Sequence, residues 1–177
     1  LLGSRAIAGT FDMGGLENTD ATGLTMKKAL LEFGTDPEKI PDLARDAKSV
    51  LAFVEIHIEQ GPVLEEQNMA VGVVTAIAGG TRLSAKITGL AGHAGTVPMD
   101  SRRDSLTAAA EAILTVERYC SQRSRLVGTV GKISASPGAV NVIPGEVVLT
   151  IDIRAGDDEL RRKAVGDVIT EINALCQ

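Results

Sequence analysis

His57 and His93 are the only two histidines in the 177-residue chain, and both stand in polar, glycine-flanked strings instead of on apolar helix faces. His57 opens His57-Ile58-Glu59-Gln60-Gly61-Pro62, and His93 lies in Gly92-His93-Ala94-Gly95-Thr96-Val97-Pro98-Met99. A neutral imidazole at a strand end is a natural ligand for a first-row metal, with a neighbouring carboxylate orienting its second nitrogen. A hydrogen-bonded structural histidine is the plainer role, and spacing does not separate the two. His93 occupies a loop whose glycines allow a ligand to come close, so it could donate to a developing oxyanion. Its alternative is to pack against, or cap, a helix starting near Ser101.

Asn141 falls in the turn-rich stretch Pro137-Gly138-Ala139-Val140-Asn141-Val142-Ile143-Pro144-Gly145. Its amide could read a polar substrate group or simply stabilise the turn. Arg154 ends an alternating strand on the polar side, where its planar fork suits a carboxylate. A solvated strand-end arginine is the alternative. Cys120 and Cys176 form no C-x-x-C pair and have no histidine nearby, which favours buried, inert thiols over a disulfide framework or a cysteine zinc site. H-E-x-x-H, P-loop and G-x-S-x-G strings do not occur. A catalytic zinc takes about three protein ligands, so His57 alone is insufficient.

Composition narrows the classes. Hydrophobic residues at 44% with charged residues at 23% predict a folded chain. No apolar run approaches the ~20 residues of a membrane helix. With 2% aromatics, no tryptophan and a net charge of −5, nucleic acid is an improbable partner. Unpaired cysteines suit the reducing cytoplasm, which is the expected location. The chain opens on Leu1 without a signal-peptide pattern and reads as a segment of a longer protein.

The elements that must position these residues follow from periodicity. Met26, Ala29, Leu30 and Phe33 predict a helix over Thr25–Phe33, with Thr25 as N-cap and Gly34 as its stop. From Leu51 to Ile58 a period of two predicts a strand that delivers His57 to its carboxyl end, followed by a short helix from Pro62 through Glu66. Gly79-Gly80 marks a boundary, giving domains 1–79 and 80–177. Beyond it come a strand around Leu83, Ala85 and Ile87, a helix carrying Leu106 to Cys120, strands Leu126–Ala135 and Glu146–Arg154, and a closing helix capped by Asp157 or Asp158. That order, βαββα, is one strand short of a ferredoxin-like βαββαβ unit. The fold class is α/β (α+β).

Taken together, Leu2-Gly3-Ser4-Arg5, the run Phe53 to Glu65, Gly92 to Met99 with Arg102-Arg103-Asp104, and Pro137 to Pro144 resemble the amidase, hydantoinase and carbamoylase branch of the M20 metallopeptidase-like amidohydrolases. The resemblance implies a catalytic α/β domain holding two divalent metal ions, zinc or manganese, and an inserted ferredoxin-like lid through which the enzyme forms a homodimer. By the same resemblance His57 is one metal ligand and Gln60 a substrate contact beside it. His93 matches a lid histidine that polarises the scissile carbonyl from the other subunit, while Asn141 and Arg154 match residues that hold the substrate, the arginine on its carboxylate. The family's remaining metal ligands and its catalytic glutamate match no position of this chain. It is therefore expected to be an internal piece, inactive alone, of a hydrolase cleaving a linear ureido or carbamoyl C–N bond of the allantoate or N-carbamoyl-L-amino acid type. A non-catalytic ferredoxin-like binding or dimerisation module is the competing reading. The two would differ in residues 1–78, which should form a stable sheet only when the rest of a catalytic domain surrounds them.

Overall fold

A computed structural model of the chain describes residues 2–176 and divides into two units, one running through Met69 and the other starting at Ala70. The first holds three short α-helices, α1 (Leu2–Ile7), α2 (Met26–Glu32) and α3 (Val63–Glu66), linked by 3₁₀ turns. Thr25 caps α2 as expected, its hydroxyl accepting from the Lys28 N–H at 3.2 Å, and Gly34 ends the element with φ +88°. Ala6, Leu16 and Pro37 are the buried residues of this unit.

The strand expected over Leu51–Ile58 is not formed. The segment belongs to no ladder, and Phe53, Val54, Ile56 and Ile58 are exposed on both alternating faces. Alternation identifies which side chains would share a face, but a strand exists only when its N–H and C=O groups find a partner, and none pairs with this segment among the described residues.

The second unit carries β1 (Gly79–Thr88), β2 (Gly92–His93), α4 (Ser105–Ser121), β3 (Leu126–Ser136), β4 (Val142–Ile143), β5 (Glu146–Ala155) and α5 (Asp158–Leu175). The long strands make an antiparallel sheet in the order β1-β5-β3. This is the expected βαββα arrangement, with β1 and β3 as its edges. Val147, Leu149, Ile151 and Ile153 alternate along β5 and are almost completely buried under Ala109, Ala112 and Val116 of α4 and Ala164, Val168 and Ile172 of α5. Burying each of these aliphatic strand residues contributes about 1.5–3 kcal/mol, which makes the central strand the anchor of the unit. Gly128 on β3 lets α4 lie close, because a Cβ there would collide with Cys120 Sγ. The opposite face of the sheet carries Arg82, Ser84, Lys86, Thr150, Asp152 and Arg154 and is left open.

Both helices are capped by aspartate. Asp157 accepts from the Leu160 N–H at 2.7 Å, and Asp104 accepts from Leu106 and Thr107 at 2.8 and 3.3 Å. The first long helix therefore starts at Ser105 and not near Ser101, so His93 has no capping role there. Cys120 is buried and its thiol is pushed up by that burial, whereas Cys176 is exposed, contrary to the reading of both as buried. Among the described residues no helix is long and apolar enough to cross a membrane.

Candidate active-site residues

His93 and Asn141 are brought together by two strands too short to show a periodicity. β2 pairs with β4 so that Gly92 faces Ile143 and His93 faces Val142, and the Ala94 N–H extends the ladder by donating to the Asn141 carbonyl at 2.9 Å. The chain reaches this corner by a turn after β1, where the Gly89 N–H donates to the Gly145 carbonyl and the Leu90 N–H to the Arg103 carbonyl, both at 2.8 Å. Any side chain at Gly89 would meet the Arg103 carbonyl oxygen. Glycine is required here for space, not for its φ.

The proton on His93 is assigned by its neighbour. Gly95 donates its backbone N–H to His93 Nδ1 at 3.0 Å, so that nitrogen is the unprotonated one and Nε2 carries the hydrogen of the neutral ring. The exposed edge of His93 is thus a donor, which is the requirement for meeting an oxyanion. Arg102 braces the same loop: its Nε donates to the Val97 carbonyl at 3.1 Å and its Nη2 to the Ala94 carbonyl at 2.6 Å. Arg102 was passed over in the sequence, where only its place beside Arg103-Asp104 marked it.

His57 is held the opposite way. Its Nδ1 lies 2.6 Å from the Ile58 carbonyl oxygen, which can only accept, so Nδ1 carries the hydrogen and Nε2 keeps its lone pair. A lone pair with the second nitrogen tied to a carbonyl is what a metal-ligating imidazole needs. Gln60 adopts a left-handed φ of +58° at the turn into α3, and the Glu59 carboxylate accepts from the Val63 and Leu64 N–H groups at 3.1 and 3.0 Å, holding that turn. Among the described residues no three His, Cys, Asp or Glu side chains cluster to hold a metal.

Arg154 does not join the His93 corner. It sits at the far end of β5 from Glu146, eight residues on, about 27 Å at ~3.4 Å per residue. A ten-residue strand runs between Arg154 and the corner that holds His93 and Asn141. Arg154 instead forms a bidentate pair with Asp152, Nε to Oδ1 at 2.7 Å and Nη2 to Oδ2 at 2.9 Å, and Arg82 reaches the same carboxylate at 3.2 Å. The Arg154 hydrogen bonds, with Arg82 assisting, hold the Asp152 carboxyl down at about 2.

Residues 75–177 match the M20 peptidase dimerisation domain. Over 99% of its length the chain is 42% identical to the allantoate deiminase of Arabidopsis thaliana, and over 91% it is 44% identical to the N-carbamoyl-L-amino acid amidohydrolase of Geobacillus stearothermophilus. It spans 37% and 39% of those two proteins. Among solved structures, a hydantoinase/carbamoylase family amidase from Burkholderia ambifaria superposes on 98% of the chain with a TM-score of 0.87 at 32% identity, the chain covering 42% of it. A matched dimerisation domain over most of the chain, and hydrolase relatives aligned with nearly all of it, carry one conclusion: the chain belongs to the M20 family, on the side of its hydantoinase and carbamoylase amidases.

Proposed function

We propose that the chain is part of a homodimeric amidohydrolase that cleaves the C–N bond of a small ureido or carbamoyl substrate bearing a carboxylate, of the allantoate or N-carbamoyl-L-amino acid type. The names of its relatives support the reaction class, and the dimerisation domain supports the assembly. The observation that carries the site is the Gly95 N–H on His93 Nδ1, which leaves Nε2–H outward as a donor. As water adds to the substrate carbonyl, its oxygen gains negative charge, and a fixed donor at that point stabilises the transition state more than the ground state. Asn141, next to it, hydrogen-bonds a polar substrate group. Arg154 binds the carboxylate, and Gln60 contacts the substrate beside His57.

His57 is this chain's contribution to a metal centre of two divalent ions. The described residues do not fit such a pair by themselves, since no cluster of three acidic, cysteine or histidine side chains forms around His57. In the domain division of this reading, residues 1–79 belong to the catalytic domain and 80–177 to the lid.

The span of about 27 Å along β5 bears on how the site is shared, since a small substrate does not bridge it. The reading therefore gives each active site Arg154 from one protomer and His93 with Asn141 from its partner. The test mixes full-length H93A and R154A enzymes after verified subunit exchange. A statistical mixture should regain about a quarter of wild-type activity, because each heterodimer has one intact site. Absence of any recovery would refute the shared site.

A further inference from the structure

We propose that Asp152, anchored by Arg82, is the positioning residue that presents Arg154 to the substrate carboxylate; this rests on the reading that Arg154 binds that carboxylate. A guanidinium has five N–H donors in a rigid plane. Asp152 takes two of them, on the Nε and Nη2 edge, with both of its oxygens engaged. Three remain, both hydrogens of Nη1 and one of Nη2, and one from each nitrogen forms the end-on edge that can donate to a second carboxylate in bidentate fashion. Asp152 therefore occupies the side of the fork and leaves its end free.

Three features make this a built arrangement. Arg82 stands directly opposite Asp152 in the β1–β5 register and donates to Oδ2, so the aspartate is held from both sides. Gly80 stands opposite Arg154, and the arginine stem passes over it, the nearest approach to a Cβ position being 3.6 Å at Cγ. The trio of two arginines and one aspartate keeps one net positive charge on an otherwise open sheet face, which favours an anion. An arginine without Asp152 would spread over several rotamers, and ordering it would then be charged against substrate binding.

The test uses the full-length dimer, with whichever of allantoate or an N-carbamoyl-L-amino acid the wild type turns over, and with the carboxamide analogue of that substrate. D152N should raise KM about 10-fold with kcat changed less than about 2-fold, and should leave kcat/KM for the uncharged analogue unaltered. D152E, which keeps the carboxylate, should recover part of the loss, and R82Q, which removes the exposed anchor only, should raise KM by about 3-fold. Should D152N fail to fold, R82Q and D152E carry the test alone. An unchanged or lowered KM in D152N or R82Q, alongside a raised KM in R154A, overturns the positioning role while leaving the carboxylate reading intact. An unchanged KM in R154A overturns the carboxylate reading and this inference with it.

Discussion

Arg102 donates through Nη2 to the carbonyl oxygen of Ala94 at 2.6 Å, and that contact ties the residue after His93 to the loop's far side. With Nε on the Val97 carbonyl, one planar group spans both ends of the segment that contains Gly95, the residue whose N–H sets the His93 tautomer. Lysine offers a point charge and no fork, so R102K keeps charge and loses the brace. In the full-length enzyme R102K is expected to lower kcat about 10-fold with KM nearly unchanged, since a loosened donor is lost chiefly in the transition state. Removing these charged hydrogen bonds should also cost about 1–3 kcal/mol of stability, measurable by denaturant unfolding. An unaltered kcat in R102K would detach the brace from catalysis.

Tyr119 supplies a clean titration, because the chain contains one tyrosine and no tryptophan. Burial pushes its hydroxyl up to about 12, helped by the Tyr119 hydrogen bond to Asp167 at 2.5 Å. The folded value lies above the ordinary 10.0, so the stability that this group contributes is complete below pH 10 and is lost as pH rises toward 12. Absorbance at the phenolate band should therefore show a midpoint near 12 in the folded chain, and D167N should bring it down. A midpoint at the ordinary value would mean that the Tyr119 hydroxyl is not buried against Asp167.

The architecture of the second unit was legible because its information is local. Alternation along Glu146–Arg154, the apolar face from Ala109 to Cys120 and the Asp157 cap of the closing helix each state their element within a few residues, and the sheet and two helices follow, whereas the Asp104 cap of the first helix was not read. The His93 corner was half legible: glycines flagged the loop, but β2 and β4 are two residues each and exist only through each other. Arg154 stands where the alternation puts it, near the end of β5 on the polar side, but periodicity gives a residue's face and not its distance from another loop. Asp152 and Arg82 read as ordinary polar-face positions, because a cross-strand ion trio depends on register, and register is set by pairing. Residues 51–58 show the same limit from the other side, a strand pattern whose partner the described residues do not supply.

His57 gives the last prediction. Its Nε2 lone pair is free and its ring is exposed, so the 177-residue chain should bind zinc only as well as one surface imidazole does. Tight binding needs about three or four ligands in tetrahedral array, and the described residues offer no cluster of three around it. Calorimetry with zinc should show no stoichiometric, high-affinity heat for the chain, and H57A should be indistinguishable from it. In a full-length enzyme that supplies further ligands, H57A should instead lower the metal content after dialysis, while H93A, whose outward nitrogen carries a hydrogen and no lone pair, should leave it unchanged. The two histidines are then told apart by metal analysis alone. Metal loss in H93A, or tight zinc binding by the isolated chain that H57A abolishes, would reverse the tautomer assignment or the missing-ligand argument respectively.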